Sequence, residues 1–298
     1  MRNHLTKSNS MLEHDSKFHM AKGLACLLSF AVAVLAGCQA RQSPTAAQSD
    51  VKSAAKIING QRPAEDSDLA RSIVAVIAKK AEGQALCTGT ILTTDTVLTA
   101  AHCVAESPSE VDIVFATDIH TANSESLRRV DRFLQNPAYQ GLAGHGEGDL
   151  AVLHFSGGLP ENYEQVTFVP VHTELEIGQE IQVFGYGVID PGSHSGAGVL
   201  RQAQTQILEI YSSSQVLTDE SRSGVCFGDS GGPGFVQYKG KWAQWGVASA
   251  VVSSDCRTES IHTSVMSFEK WLNQAIDQLR SGSERQPTTV MDRNIGLI

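Results

Sequence analysis

The run Cys226, Phe227, Gly228, Asp229, Ser230, Gly231, Gly232, Pro233 sets one hydroxyl among glycines. A serine hydroxyl is a weak nucleophile until a neighbouring base takes its proton. Glycines around it let backbone N–H groups approach a reacting carbonyl oxygen that side chains would crowd. The chemistry this suits is acyl transfer. Taken alone, the run also has a lesser reading as a tight surface turn, so the case is strengthened by finding a base and a group that orients it.

The candidate base is His102, in Thr99, Ala100, Ala101, His102, Cys103 at the end of an apolar stretch. The chain has 10 histidines, His120, His145, His154 and His262 among them, and an isolated histidine is usually structural. His102 differs in its frame, because Cys87 lies 16 positions before Cys103 and the pair can clip a loop around the imidazole. In an exported protein that pair is expected to be oxidised, and a bridge of that span contributes about 3 kcal/mol in the chain-entropy model. The third candidate is Asp149, in Gly148, Asp149, Leu150, Ala151, Val152, Leu153, at the head of a strand that reads as buried. A carboxylate there can orient an imidazole and stabilise its protonated form. On its own the segment would be an ordinary turn aspartate.

Three groups so far apart in the chain need a scaffold, and short β-rich runs supply it at 73–78, 90–92, 111–115, 151–155, 181–184 and 245–252, separated by Gly, Asn, Asp and Ser clusters. Helical spacing is convincing once, over 267–280, where Phe268, Trp271, Leu272, Ala275, Ile276 and Leu279 share a face and Ser267 is placed to cap the start. The expectation is a mostly β body with a terminal helix docked on it, followed by a polar tail over 281–298.

The whole chain of 298 residues is 41% hydrophobic and 18% charged with a formal charge of −9, which fits a globular core and excludes a polycationic nucleic-acid or membrane surface. Residues 24–36 are apolar except for Ser29 and follow Lys22, the pattern of an export signal. The run is too short to cross a bilayer, which takes about 20 residues. Leu35, Ala36, Gly37, Cys38 resembles the bacterial lipobox, in which the cysteine is acylated and becomes the mature amino terminus; an ordinary signal peptide is the alternative. The expected organisation is a signal over 1–37, a polar linker or propeptide over 38–56, and a folded domain over 57–280.

Together the His102, Asp149 and Ser230 segments, in that order, resemble the chymotrypsin-like (trypsin-like) serine proteases, with Asn136, Pro137, Ala138, Tyr139, then Gly185, Tyr186, Gly187, and Trp271 extending the likeness over nearly all of 57–280. The resemblance implies an all-β fold of two six-stranded antiparallel barrels, about 57–165 and 166–265, with a C-terminal α-helix and the site between the barrels. It implies that Ser230 attacks the scissile carbonyl, His102 carries the proton, Asp149 fixes the imidazole, and the N–H groups of Gly228 and Ser230 form the oxyanion hole. It also implies activation by cleavage after Lys56, whereupon the new amino group of Ile57 pairs with Asp229. Here Ile58 and Asn59 replace the usual Val and Gly that follow the first isoleucine.

In the family the residue six before the nucleophile lies at the base of the primary specificity pocket. Here it is Gly224, followed by Val225, so no acidic group is expected there. Ser249, Ala250, Val251 corresponds to the segment that pairs with substrate backbone, Val251 narrows the pocket, and Ser260 is expected on the opposite wall, although the stretch to Cys256 is one residue longer than usual. The implied preference is for small or medium apolar residues on the acyl side of the cut. Cys226 and Cys256 bracket the pocket and are expected to pair, leaving Cys38 for lipid and Cys26 in the removed signal.

The expected protein is therefore an exported serine endopeptidase zymogen, a monomer without metal or cofactor, that acts on protein or peptide substrates. It is activated by another protease that cuts after Lys, and is held at the cell envelope through lipid on Cys38 or secreted after activation. The rival is an inactive homologue serving as a binding protein, and against it His102, Asp149, Ser230, Gly228, Ile57 and Asp229 are all retained. A metal-dependent hydrolase is disfavoured, since no HExxH run exists and the cysteines lack zinc-type spacing.

Overall fold

The run from Ile73 to Ala78 is continuously apolar because both faces of its strand are buried. Val74, Val76 and Ala78 point into the core of the first half of the molecule, whereas Ile73 and Ala75 pack with Phe184, Tyr186 and Phe235 of the second half. This strand, β1 (Ile73–Lys80), is thus shared between one barrel's core and the seam between the two. The computed structural model describes residues 57–64, 67–141 and 146–282, all within one unit. The expected signal, lipobox and linker, with Cys26, Cys38 and Lys56, and the tail beyond 282 lie outside the described residues.

The first barrel continues with β2 (Gly83–Ile91), β3 (Thr96–Thr99), β4 (Glu110–Val114), β5 (Leu127–Gln135) and β6 (Ala151–Phe155), and closes in the order β1-β2-β3-β6-β5-β4. The second is built from β7 (Glu180–Gly185), β8 (Arg201–Ile210), β9 (Gln215–Asp219), β10 (Pro233–Tyr238), β11 (Lys241–Val251) and β12 (Glu259–Ser264), closing as β10-β11-β12-β9-β8-β7. Every pair is antiparallel, so the fold is the expected pair of six-stranded barrels. Closure leaves neither sheet with a free edge.

Strand β8 shows how one-sided burial writes itself into sequence. Ala203, Thr205 and Ile207 are inward, and Gln204 and Gln206 between them are exposed.

The terminal helix α1 (Glu269–Arg280) leaves the second barrel and straps the first, where Leu272, Ala275 and Leu279 join the cluster containing Val97, Leu153 and Phe155. Arg280 Nε stands 3.2 Å from Asp95 Oδ1 at the far end. The expected cap is not made. Ser267 lies inside a 3₁₀ turn (Met266–Phe268), Phe268 takes the N-cap position, and no side chain caps it. Phe268 and Trp271 pack on the first-barrel core, so tertiary burial of the aromatic residue overrides the local capping preference. Among the described residues no helix is long and apolar enough to cross a membrane.

Candidate active site

Strand register brings His102 and Asp149 together. Strands β3 and β6 pair with Thr99 opposite Ala151, so the residues just past the end of β3 and just before the start of β6 meet at one barrel rim. His102 sits there on a 3₁₀ turn (Ala101–Val104), and Gln135 Nε2 donates to Ala101 O at 2.8 Å to pin it. Asp149 is fully buried. Its Oδ1 accepts the His102 backbone N–H at 2.9 Å, and its Oδ2 lies 2.7 Å from His102 Nδ1. Ser249, from β11 of the other barrel, donates its hydroxyl to the same Oδ2 at 2.6 Å. An imidazole whose Nδ1–H is engaged in this way presents Nε2 as the proton acceptor.

The disulfide Cys87–Cys103 forms as expected, joining β2 to the His102 turn. The Cys103 sulphur lies 3.9 Å from His102 Nε2 and 3.8 Å from Ser230 O, so the base and the nucleophile's backbone flank one sulphur atom. His102 and Ser230 also line the same cleft, of about 270 Å³. The three residues singled out by chemistry therefore converge.

The turn that carries Ser230 is held through its backbone, by itself and by Thr88 and Ala248 of the two barrels. Thr88 N–H donates to Ser230 O at 2.8 Å and Thr88 Oγ1 to Gly228 O at 3.0 Å. The N–H groups of Asp229, Gly231 and Gly232 all donate internally, to Cys226 O, Ala248 O and Asp229 O. Among the described residues those of Gly228 and Ser230 donate to nothing. Gly228 has φ of +97°, which a side chain would strain. Two unspent, adjacent donors beside a hydroxyl can stabilise a developing oxyanion.

Asp229 is fully buried behind this turn, where its Oδ1 accepts Gly187 N–H at 2.7 Å and its Oδ2 accepts Cys226 N–H at 2.8 Å. Burial pushes its carboxyl up to about 7, with nearby Glu220 adding to the rise and the two N–H donors and Arg201 opposing it. Ile57 is also fully buried, in the second-barrel core. Its neighbour Ile58 bridges to Gly224, which donates its N–H to Ile58 O at 3.2 Å, and Asn59 takes a left-handed φ of 55° with Nδ2 donating to Arg222 O at 2.5 Å. Asparagine is the non-glycine residue that tolerates this region best, which accounts for its standing where the family has glycine.

The second expected disulfide, Cys226–Cys256, is also present. Val225, Ser249 and Val251 line the cleft, together with Ala248, Ala250 and Phe227, whereas Gly224 and Ser260 do not. Both lie buried behind the lining, and the reason is a group that the sequence reading missed. The fully buried carboxyl of Glu220 stands against Gly224 and hydrogen-bonds Val225, Thr218 and Ser260. The expectation that no acidic group stands at this level is corrected accordingly. Glu220 sits in a polar stretch four residues upstream, Asp219, Glu220, Ser221, Arg222, that reads as a solvated loop.

The trypsin family model matches residues 57–272. Trypsin zeta of Drosophila erecta is 28% identical over 167 residues, 49% of this chain and 59% of its own length. Granzyme M of Homo sapiens is 28% identical over 208 residues, 64% of this chain and 79% of its own length. The chain thus spans less than two thirds of the first relative.

Proposed function

The chain belongs to the trypsin family of chymotrypsin-like serine proteases, and from that premise we propose that it is a serine endopeptidase made as an exported zymogen. The observation that carries the reading is the 2.7 Å contact between His102 and the buried Asp149, with His102 lining the same cleft as Ser230. In this reading Nε2 of His102 removes the Ser230 proton as Oγ attacks the peptide carbonyl, and the unspent N–H groups of Gly228 and Ser230 receive the oxyanion. His102 then returns the proton to the leaving amine, and water repeats the sequence to release the acyl group. Asp149, locked by three hydrogen bonds, keeps the tautomer and compensates the imidazolium.

The zymogen reading is supported by Asp229. In the continuous chain the Ile57 nitrogen is a peptide N–H without charge, and burial raises Asp229 to about 7. Cleavage after Lys56 would create an ammonium two residues before Asn59, in a segment that already bridges to Gly224. A buried carboxylate gains most from such a partner.

The apolar lining by Val225, Ala248, Ala250 and Val251 supports preference for small or medium apolar residues on the acyl side. Activation after Lys56 then falls to another protease. Both disulfides close within the catalytic body, so neither would tether that body to a lipidated Cys38, and cleavage would release it from the envelope as a monomer. The test is labelling of the form beginning at Ile57 with a fluorophosphonate probe, alongside Ser230→Ala. Stoichiometric labelling of the former alone is expected, and an unlabelled wild-type protein would point to the inactive homologue instead.

A further inference from the structure

Behind Val225, which lines the cleft beside Ser230, lies a buried carboxyl group. A Cβ built on Gly224 would coincide with Oε2 of Glu220, so the carboxyl group fills the space into which a side chain at 224 would project. Three neutral donors fix it there. Val225 N–H reaches Oε2 at 3.0 Å, while the hydroxyls of Thr218 and Ser260 reach Oε1 at 2.8 Å and 2.5 Å. Thr218 lies on β9 and Ser260 on β12, so the group cross-links two adjacent strands of the second barrel to the loop before Cys226. Glu220, Thr218 and Ser260 are each fully buried.

We propose that Glu220, seated under Gly224, is the floor of the primary specificity pocket and sets its depth, so that the pocket accepts small apolar side chains and refuses long or aromatic ones. This rests on the endopeptidase reading above and names the determinant of its substrate class. The glycine and the glutamate act as one unit, because any larger residue at 224 would expel the carboxyl group.

Geometry favours a floor over a receptor for a basic side chain. The carboxyl group has no exposure, does not line the cleft, and already has a donor on each oxygen from a residue of the surrounding wall. Its acidity agrees, since burial raises Glu220 to about 7 while its hydrogen bonds oppose the rise, the opposite of a carboxylate held ionised to receive a cation. His262, whose Nε2 lies 3.2 Å from Ser260 Oγ, is lowered to about 4 by burial, so it is neutral and lends the site no cation. Behind the apolar lining there is thus a plug with its polar atoms turned into the barrel wall.

The test is a peptide-library profile of kcat/KM for the form beginning at Ile57, for wild type, E220A and E220Q, each normalised to active sites titrated with a fluorophosphonate. Wild type is expected to favour Ala and Val over Leu, Met and Phe. In E220A the Phe-to-Ala ratio should rise by roughly tenfold or more, the scale at which pocket volume discriminates between apolar groups. E220Q keeps the volume and should keep the wild-type ratio. An unchanged ratio in E220A that titrates normally would overturn the proposal. So would a wild type that takes Phe as readily as Ala, a result that needs no variant to fold. Dominant cleavage after Lys or Arg that E220Q abolishes would make the carboxylate a cation receptor and equally overturn it. Absence of any cleavage or labelling by wild type would instead remove the endopeptidase reading, and the floor with it.

Discussion

Severing the chain after Lys56 should change how stability depends on pH, and the size of the change follows from Asp229. Its carboxyl is raised from 3.8 to about 7, chiefly by complete burial. A shift of that size places on the order of 4 kcal/mol against the ionised form, at about 1.4 kcal/mol per pH unit. Because the folded pKa lies above the unfolded one, the folded uncleaved chain holds a proton that the unfolded chain has released. This stabilisation is complete below about pH 4, is lost as pH rises through about 7, and is flat above that. Glu220, raised from 4.5 to about 7, has the same sign and is present in both forms, so the difference between them reads chiefly Asp229. In the processed form the Ile57 ammonium favours ionised Asp229, so the Asp229 share of the loss should vanish. The comparison is urea unfolding of Lys56→Gln against the chain beginning at Ile57, both carrying Ser230→Ala to prevent autolysis, from pH 5 to pH 8. The processed form should gain on the uncleaved one by a few kcal/mol across that range. A gap that does not change with pH would refute the pairing of Ile57 with Asp229.

Asp149→Asn should leave the fold intact and lower kcat by roughly 10⁴-fold, because an amide cannot hold the required tautomer or balance the imidazolium; burst kinetics with an activated ester would read it. Ser249→Ala removes the donor 2.6 Å from the buried Asp149 Oδ2 and should cost about 1–3 kcal/mol in transition-state stabilisation, seen as lower kcat at nearly constant KM. Replacing Cys87 and Cys103 together by alanine should lower unfolding free energy by about 3 kcal/mol in the chain-entropy model, measured by denaturant titration with and without reductant. Purified proenzyme incubated alone should not cut itself at Lys56, as followed by amino-terminal sequencing; efficient self-cleavage would argue against the apolar pocket.

What could be read from the residues alone was whatever the chain states locally. Ser230 among its glycines, His102 beside Cys103 and Asp149 at a strand head each carry their meaning within a few positions, and the register of β3 on β6 then joins two of them. β8 states its alternation just as openly through Ala203, Thr205 and Ile207 against Gln204 and Gln206, yet it went unread because its glutamines lower the apolar count. Ser267 does not make the cap that its position suggests, since burial of Phe268 on the first barrel outweighs one capping hydrogen bond. Glu220 takes its meaning only from the fold. Inferring from Gly224 that no acid stands at the pocket base equates the absence of a side chain with the absence of a group. In a close-packed interior the space above a glycine is filled by a neighbour, and which neighbour fills it is decided by strands β9 and β12 meeting across some forty residues of sequence. A specificity position occupied by glycine therefore specifies nothing until the side chain lying over it is known. For this molecule that side chain is a carboxyl held by three neutral donors, one of them the N–H of Val225, which itself lines the cleft.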